Sequence, residues 1–202
     1  MLSPEEHGKI VKVGYDNIAE TYCKNRSAFE NTTQIEEFIS YLPEKAAVLD
    51  IGCGGGIPVL QTIARRGFRV KGIDFSKSML EIAKRNSPNA ELILGDITKT
   101  DFKKMSLDGI ISTYAFIHIH RDYHPLLYRN MFSWLKPSGV IMICTGADDW
   151  SGDEKYFGVR MVWNHAGANE NLKLAKAAGF SIISERILTI GGETHYWILA
   201  RK

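Results

Sequence analysis

The sequence predicts an α/β protein: a mostly parallel sheet with helices on both faces. Three observations carry the prediction. Short apolar runs alternate with amphipathic helical stretches from about residue 46 to residue 145. A glycine-rich turn directly follows the first run. The chain closes with two extended runs joined by Gly191-Gly192. Strands alternating with helices imply parallel strands covered on both sides, and the final hairpin adds an antiparallel member.

Taken in order, residues 4–24 read as a helix, and 31–42 as a second with Ile35, Phe38, Ile39 and Leu42 on one face, ended by Pro43. AVLDI (47–51) is the first strand. After the glycine loop a helix opens at Pro58, suited to a first helical turn, and closes at Gly67. FRVKGID (68–74) is the second strand, and residues 76–86 form a helix with a capping box at Ser78 and Glu81. ELILGD (91–96), DGIISTYAF (108–116) and GVIMICT (139–145) are the third, fourth and fifth strands. A helix over 123–135 is stopped by the Lys136-Pro137-Ser138-Gly139 turn. The pattern is irregular from 146 until a helix at about 169–178, and the terminal hairpin follows.

A length of 202 residues suits one domain. We divide it into an N-terminal helical cap (1–45), a core (46–145), an insertion (146–168) and a C-terminal helix and hairpin (169–202). With 45% apolar and 24% charged residues the chain is an ordinary globular sequence. No apolar run approaches the ~18 residues of a membrane span, and the opening MLSPEEHGKI is not a secretory signal. These features predict a cytoplasmic protein without a membrane partner, monomeric or homodimeric. The net charge is +2, and no dense basic cluster with interleaved aromatics is present, so no nucleic-acid partner is expected. Cys23, Cys53 and Cys144 form no C-x-x-C pair, which argues against structural zinc and a disulfide framework.

The segment VLDIGCGGG (48–56) places Asp50-x-Gly52-x-Gly54-x-Gly56 between a strand and a helix. Glycines let the backbone approach a ligand where free N–H groups point outward. The dinucleotide spacing G-x-G-x-x-G fails, because Ile57 or Val59 stands where the third glycine belongs, and no Gly-Lys-Ser/Thr marks a phosphate loop. Asp50 beside the loop disfavours a pyrophosphate, but tolerates a ligand carrying an ammonium and a sulfonium. Asp74 ends the second strand, 22 residues past Gly52, where an acid reaches ribose hydroxyls. Asp96 ends the third and suits an adenine amine. A single strand-end Asp is commonly a cap or turn residue; acids at three successive strand ends point to a ligand.

VLDIGCGGG, GIDFSKSML, LILGDI, STYAFIHI and WLKPSGVIMI, in that order over roughly residues 46–145, resemble class I (Rossmann-like) S-adenosylmethionine-dependent methyltransferases of the small-metabolite type. The resemblance implies a seven-stranded sheet in the order 3-2-1-4-5-7-6 with the last strand antiparallel. S-adenosylmethionine is the implied cofactor and S-adenosylhomocysteine the product. The loop of Asp50, Gly52, Cys53 and Gly54 is implied to hold the methionine part, Asp74 the ribose, and Asp96 with Ile97 the adenine. Phe75 and Met79 pack against the adenosine, and Thr113 joins them from the fourth strand's end. YDNIAETYCKNR resembles an N-terminal helix whose Tyr15, Tyr22 and Arg26 close over the cofactor. Gly55 stands where the family often has Thr, Ser or Pro, which predicts a more mobile loop.

The implied reaction transfers a methyl group to an O, N or S atom of a small-molecule acceptor. The leaving group is a neutral thioether, so no general acid is needed, and positioning supplies much of the rate. His118, just past the fourth strand, is a candidate to orient or deprotonate the acceptor; a hydrogen-bonded structural histidine is the alternative. A metal site with His120 lacks nearby ligands to complete it. The aromatic density of 146–168 marks an acceptor-side roof. Trp150 and Trp163, with Tyr114, are candidate acceptor contacts, and His165 joins Tyr15 and His118 as a candidate catalytic group. A satellite core is the alternative for this segment. Rival functions are methylation of protein or tRNA, a non-catalytic cofactor-binding module and a dinucleotide oxidoreductase.

Overall fold

The computed structural model describes residues 2–25 and 30–202. The elements run α1 (Pro4–Asn25), α2 (Thr32–Ile39), β1 (Ala47–Ile51), α3 (Val59–Arg65), β2 (Arg69–Asp74), α4 (Lys77–Asn86), β3 (Glu91–Leu94) and β4 (Leu107–Ser112). They continue with α5 (His124–Trp134), β5 (Leu135–Gly146), β6 (Trp150–Tyr156), β7 (Val159–His165), α6 (Ala168–Ala177), β8 (Ser181–Ile190) and β9 (Glu193–Arg201). Seven strands form one sheet in the order β3-β2-β1-β4-β5-β9-β8, and β6 pairs with β7 in a separate ribbon. With that ribbon set aside, the order is 3-2-1-4-5-7-6. Strands β3, β2, β1, β4 and β5 pair in parallel, whereas β9 runs antiparallel to both β5 and β8.

Alternation along each strand feeds two cores. Leu49, Ile51, Ile110 and Ile141 face one side of the sheet and pack with Leu127, Tyr128 and Met131 of α5 and Ala175 of α6. Val48, Val70, Ile111 and Met142 face the other and meet Phe38 of α2, Leu60 and Ile63 of α3, and Ala83 of α4. Each such side chain contributes about 1.5–3 kcal/mol by leaving water, so a one-residue register slip would misplace a whole face. Trp134 is buried with its indole N–H donating to Asp101 Oδ1 at 2.6 Å, which satisfies its one polar atom.

Three local expectations are corrected. The cap of α4 is Ser76, whose hydroxyl accepts from Met79 N–H at 3.2 Å; the proposed Ser78–Glu81 box is not used. The Lys136–Gly139 turn is a bulge within β5: Leu107 pairs Leu135 while Gly109 pairs Val140, and Ser138 has a φ of 67°. The stretch after 146 is not irregular but folds as the β6–β7 hairpin. Met161 and Val162 of β7 pack with Val11 and Ile18 of α1, so the hairpin and the N-terminal helix form their own small core.

Candidate functional site

The parallel strands end along one edge of the sheet, where ligands of open α/β folds bind. A cleft of about 680 Å³, counting its solvent-open part, lies there. That is within the roughly 300–1,000 Å³ of small-molecule sites. The turns after β1, β2, β3 and β4 supply Gly52 and Gly54, Asp74 and Phe75, Asp96 and Ile97, and Thr113 and Tyr114 respectively; α4 adds Met79. Helix α1 closes the opposite side with Val11, Tyr15 and Tyr22.

The glycine loop is shaped by close approaches. Gly52 has a φ of 69°, and a Cβ there would fall 2.2 Å from the Ala115 Cβ. Gly54 is also left-handed, at 51°, but a Cβ there would meet nothing within 4 Å; it would project into open space. Gly55 has a packing reason rather than the mobility expected of it: a Cβ would fall 2.5 Å from the Cys23 sulfur of α1. Beyond the loop a second cavity continues the cleft, sharing Tyr22, Gly52, Gly54 and Thr113 and adding Lys24, Glu30, Asp50 and Cys53. Lys24 with two acids is the charge pattern of a zwitterion's partner. Burial, then Asp74 and Asp50, push the Cys53 thiol up, so it stays a protonated, small loop residue.

Both strand-end acids do local work and still line the cleft. Asp74 accepts from Gly54 N–H at 2.8 Å and from Ser76 N–H at 2.9 Å, tying the β1 and β2 turns together. Burial outweighs these bonds and raises its carboxyl to about 6. Asp96 accepts from the Thr98 N–H and hydroxyl at 2.9 and 2.7 Å in a local turn. Asp50 is buried under the loop.

On the α1 side, Tyr15 Oη and His118 Nε2 are 2.7 Å apart. His7 Nε2 lies 3.0 Å from the His118 carbonyl, so α1 is joined twice to the turn after β4. A third tie is Asp16, which accepts from the Ser76 hydroxyl at 2.7 Å and from Ser78 N–H at 3.3 Å at the start of α4. A carboxylate is favoured at a helix N-terminus. Burial pushes the Asp16 carboxyl up, but its bonds to Lys12, Ser76 and Ser78 bring it below the usual range. His118 is driven to about 3, first by burial and then by the neighbouring His7 and His165, despite the Val162 carbonyl beside it. It is therefore neutral at physiological pH and too weak a base to deprotonate a resting acceptor. With its proton on Nδ1, beside the Val162 carbonyl, the neutral imidazole accepts the Tyr15 O–H at Nε2.

The remaining predicted residues separate. Tyr114 lines the cleft with a φ of 61°, held edge-on by His195 and Trp197 at 4.9 and 5.7 Å. Left-handed backbone at an aromatic residue stores about 1–3 kcal/mol of strain, a feature that clusters at working sites. Trp163 backs His118 at 5.6 Å without lining the cleft. Trp150 is exposed, and His165 is buried with its carbonyl accepting from Arg121 at 2.6 Å; neither is brought to the cleft. Arg26 lies outside the described residues. Sequence reasoning missed His7, Asp16 and Ser76, which dock α1; only their wide separation in sequence hid them. Among the described residues, no group of three or more His, Cys, Asp or Glu could hold a metal.

The sequence of residues 48–139 matches the methyltransferase domain family. Those residues, just under half of the chain, are similar to S-adenosylmethionine-dependent methyltransferase domains. The chain is 36% identical over 121 residues to phosphoethanolamine N-methyltransferase 1 of Triticum aestivum, covering 57% of this chain and 23% of that protein. An uncharacterised methyltransferase of Oceanobacillus iheyensis is 26% identical, with 84% of this chain and 72% of that protein covered. The chain thus spans under a quarter of the wheat protein's length and nearly three quarters of the bacterial one. In fold it is similar to the 1,6-didemethyltoxoflavin N1-methyltransferase of Burkholderia thailandensis, solved with bound 1,6-didemethyltoxoflavin and S-adenosylhomocysteine. The TM-score is 0.78 at 18% identity, over 100% of this chain and 91% of that one.

The residues fit S-adenosylmethionine, the cofactor that the methyltransferase-domain match implies. Gly54 leaves a void a Cβ would fill, Asp74 is a desolvated carboxyl facing it, and Lys24 with Asp50 and Glu30 suits an amino-acid end.

Proposed function

We propose that this chain transfers a methyl group from S-adenosylmethionine to an O, N or S atom of a small metabolite. The observation that carries the reading is the layout of one continuous cleft. Strand-end acids and the glycine loop form one flank, and the Tyr15–His118 pair on a docked helix forms the other. When bound, the cofactor supplies a methyl carbon on a sulfonium, whose departure as a thioether requires no proton.

The chain's own residues then have three tasks. Gly52, Cys53, Gly54 and Asp50 frame the amino-acid end; Asp74 binds ribose hydroxyls. Asp96, Ile97, Phe75, Met79 and Thr113 enclose the adenine side, with Tyr22 closing over it. On the acceptor side Tyr114 provides a wall, and Tyr15 orients the attacking group by hydrogen bonding. His118 positions Tyr15 rather than acting as a base, because its imidazole stays unprotonated. Trp163 supports His118 from behind. Enclosure by α1, with the hairpin packed behind it, limits water and fixes geometry, which is where a reaction without acid catalysis gains most.

The wheat and Burkholderia proteins are named for small-molecule acceptors, which supports the same class here. The test incubates purified protein and methyl-labelled S-adenosylmethionine with a cell extract divided into metabolite, RNA and protein fractions. Label in metabolites is expected. Label confined to RNA or protein would overturn the small-molecule reading.

A further inference from the structure

We infer that Arg121 is a positioning residue for methyl transfer: its guanidinium ties the base of the β6–β7 hairpin to the turn that carries His118, and so holds His118 against Tyr15. The inference rests on the methyl-transfer reading and adds to it a residue that does not line the cleft. The hairpin is separate from the main sheet, so side chains must set its place beside His118. At its base Trp150, where β6 begins, pairs with His165, where β7 ends. Arg121 reaches both strands there. Its Nε donates to Asn164 Oδ1 at 3.1 Å. Its Nη2 donates to the His165 carbonyl at 2.6 Å and, at a longer 3.5 Å, to the Trp150 carbonyl. Nη1 faces Asp149 Oδ1 at 3.8 Å, one residue before β6. A guanidinium presents these donors in one rigid plane, which the single ammonium head of a lysine cannot reproduce.

What the hairpin brings to His118 comes from residues next to those that Arg121 holds. Trp163, one position before Asn164, lies 5.6 Å from the His118 ring at 39°. The Val162 carbonyl stands beside the same ring and favours a proton on it. From α1, Tyr15 stands edge-on at 5.1 Å and 88°, with its Oη 2.7 Å from Nε2. His118 is thus enclosed between α1 and β7. The neutral tautomer that accepts at Nε2 is the one whose proton points to Val162. Arg121 follows three positions later on the same turn, and the backbone between them is itself held. His7 Nε2 lies 3.0 Å from the His118 carbonyl, and His124 Nε2 lies 3.0 Å from the Ile119 carbonyl. A fork that grips β7 from so near sets the spacing between β7 and the imidazole. Without it, the two tautomers of His118 come closer in energy and the Tyr15 hydroxyl loses its fixed direction. Misplacement of an orienting group by about 1 Å is enough to cost a reaction that depends on alignment.

The experiment compares wild type, Arg121→Met and Arg121→Lys, each labelled with nitrogen-15 at histidine. The imidazole signals of His118 are identified by their loss in His118→Gln. Wild type should show one neutral tautomer with Nε2 bare, and both variants a mixture of two. Label transfer from S-adenosylmethionine to the metabolite fraction of a cell extract should fall roughly tenfold to a hundredfold in both, with S-adenosylhomocysteine affinity unchanged. Arg121→Lys keeps the positive charge near His165 but not the fork, so wild-type behaviour of that variant overturns the inference. A merely structural Arg121 would lower Tm and leave the His118 signals and the transfer rate below Tm as they are in wild type; that result overturns it too. Amide hydrogen exchange adds a readout independent of catalysis. The β6–β7 ladder should exchange faster in Arg121→Met while β1 and β4 do not, and unchanged exchange in the hairpin counts against the lock. All these failures leave methyl transfer standing. No label transfer by wild type, with S-adenosylhomocysteine still bound in a parallel titration, defeats the methyl-transfer reading and the role of Arg121 with it.

Discussion

Tyr15 on the N-terminal helix and His118 in the turn after the fourth strand meet at 2.7 Å, although they lie 103 positions apart in the chain. The bond does two things at once. It docks α1 over the cleft, and it leaves a neutral imidazole holding a phenol in a fixed rotamer. Tyr15→Phe removes the donor and strands a buried ring nitrogen, which costs about 1–3 kcal/mol. His118→Gln keeps an acceptor for the phenol. We therefore expect Tyr15→Phe to lower both Tm and turnover, and His118→Gln to retain most turnover. If His118→Gln were as inactive as His118→Ala, the imidazole itself would be needed and the positioning role would fail.

The two left-handed glycines of the loop should respond differently. At Gly52 a methyl group would overlap the Ala115 side chain. Left-handed strain of about 1–2 kcal/mol adds to overpacking of about 1–3 kcal/mol. Gly52→Ala should thus destabilise the unliganded protein by roughly 2–5 kcal/mol. At Gly54 the methyl meets nothing, so only the strain term applies to folding. Its methyl would nevertheless occupy the space a ligand needs. Chemical denaturation and titration with S-adenosylhomocysteine separate the two. Gly54→Ala should lose more affinity than stability, and equal affinity for wild type and Gly54→Ala would remove this loop from the binding site.

How far the sequence was legible follows from where the information lies. AVLDI coincides with β1, because buried parallel strands are continuous apolar runs punctuated by turn residues; the order of the strands in the sheet was implied only by the family resemblance, and the structure has that order. The β6–β7 hairpin was hidden for two physical reasons. Its ribbon lies on α1 rather than in the sheet, so much of β6 is exposed and carries little apolar pattern. Its turn is Phe157-Gly158, with φ of 48° and 86°, so a phenylalanine occupies a position usually signalled by Asn, Asp or Gly. The phenylalanine is kept by its neighbours: its ring meets Tyr156 at 4.8 Å and Tyr22 at 6.5 Å, at the rim of the cleft. The strand-end acids were visible from their spacing. What set His118 apart from a general base was not, since its protonation depends first on burial and then on His7 and His165, which lie far from it in the sequence.

Asp74 predicts a pH dependence for cofactor binding. Its carboxyl is raised to about 6 in the unliganded protein, first by burial. Ribose hydroxyls donate to a carboxylate, so binding favours the ionised form and releases a proton wherever the free protein still holds one. Affinity for S-adenosylhomocysteine should therefore rise as pH increases from about 5 to 7, approaching tenfold per unit on the acid side. Asp74→Asn should bind more weakly and lose the slope. A slope retained in Asp74→Asn would assign the proton to another group.

The histidines predict the acid limit of stability. All six in the chain (His7, His118, His120, His124, His165 and His195) have pKa values lowered chiefly by burial. His118 falls to about 3, and His124 and His195 to about 4. A histidine depressed on folding takes up protons more readily when unfolded. Its contribution is present above the unfolded value near 6.5 and is lost as pH falls towards the folded one. At about pH 5 those three groups together withdraw on the order of 5 kcal/mol, a large share of a typical domain's stability. Asp74 acts with the opposite sign. Its raised pKa gives stability that is present at low pH and lost as pH rises through about 6, so acid returns about 1–2 kcal/mol at pH 5. The histidines prevail. Tm followed by circular dichroism should fall steeply between pH 6.5 and 4.5, and more steeply in Asp74→Asn, which lacks the compensating carboxyl. A Tm that stays level over that range would mean the imidazoles accept protons in the folded state, and α1 would not be held by neutral rings as described.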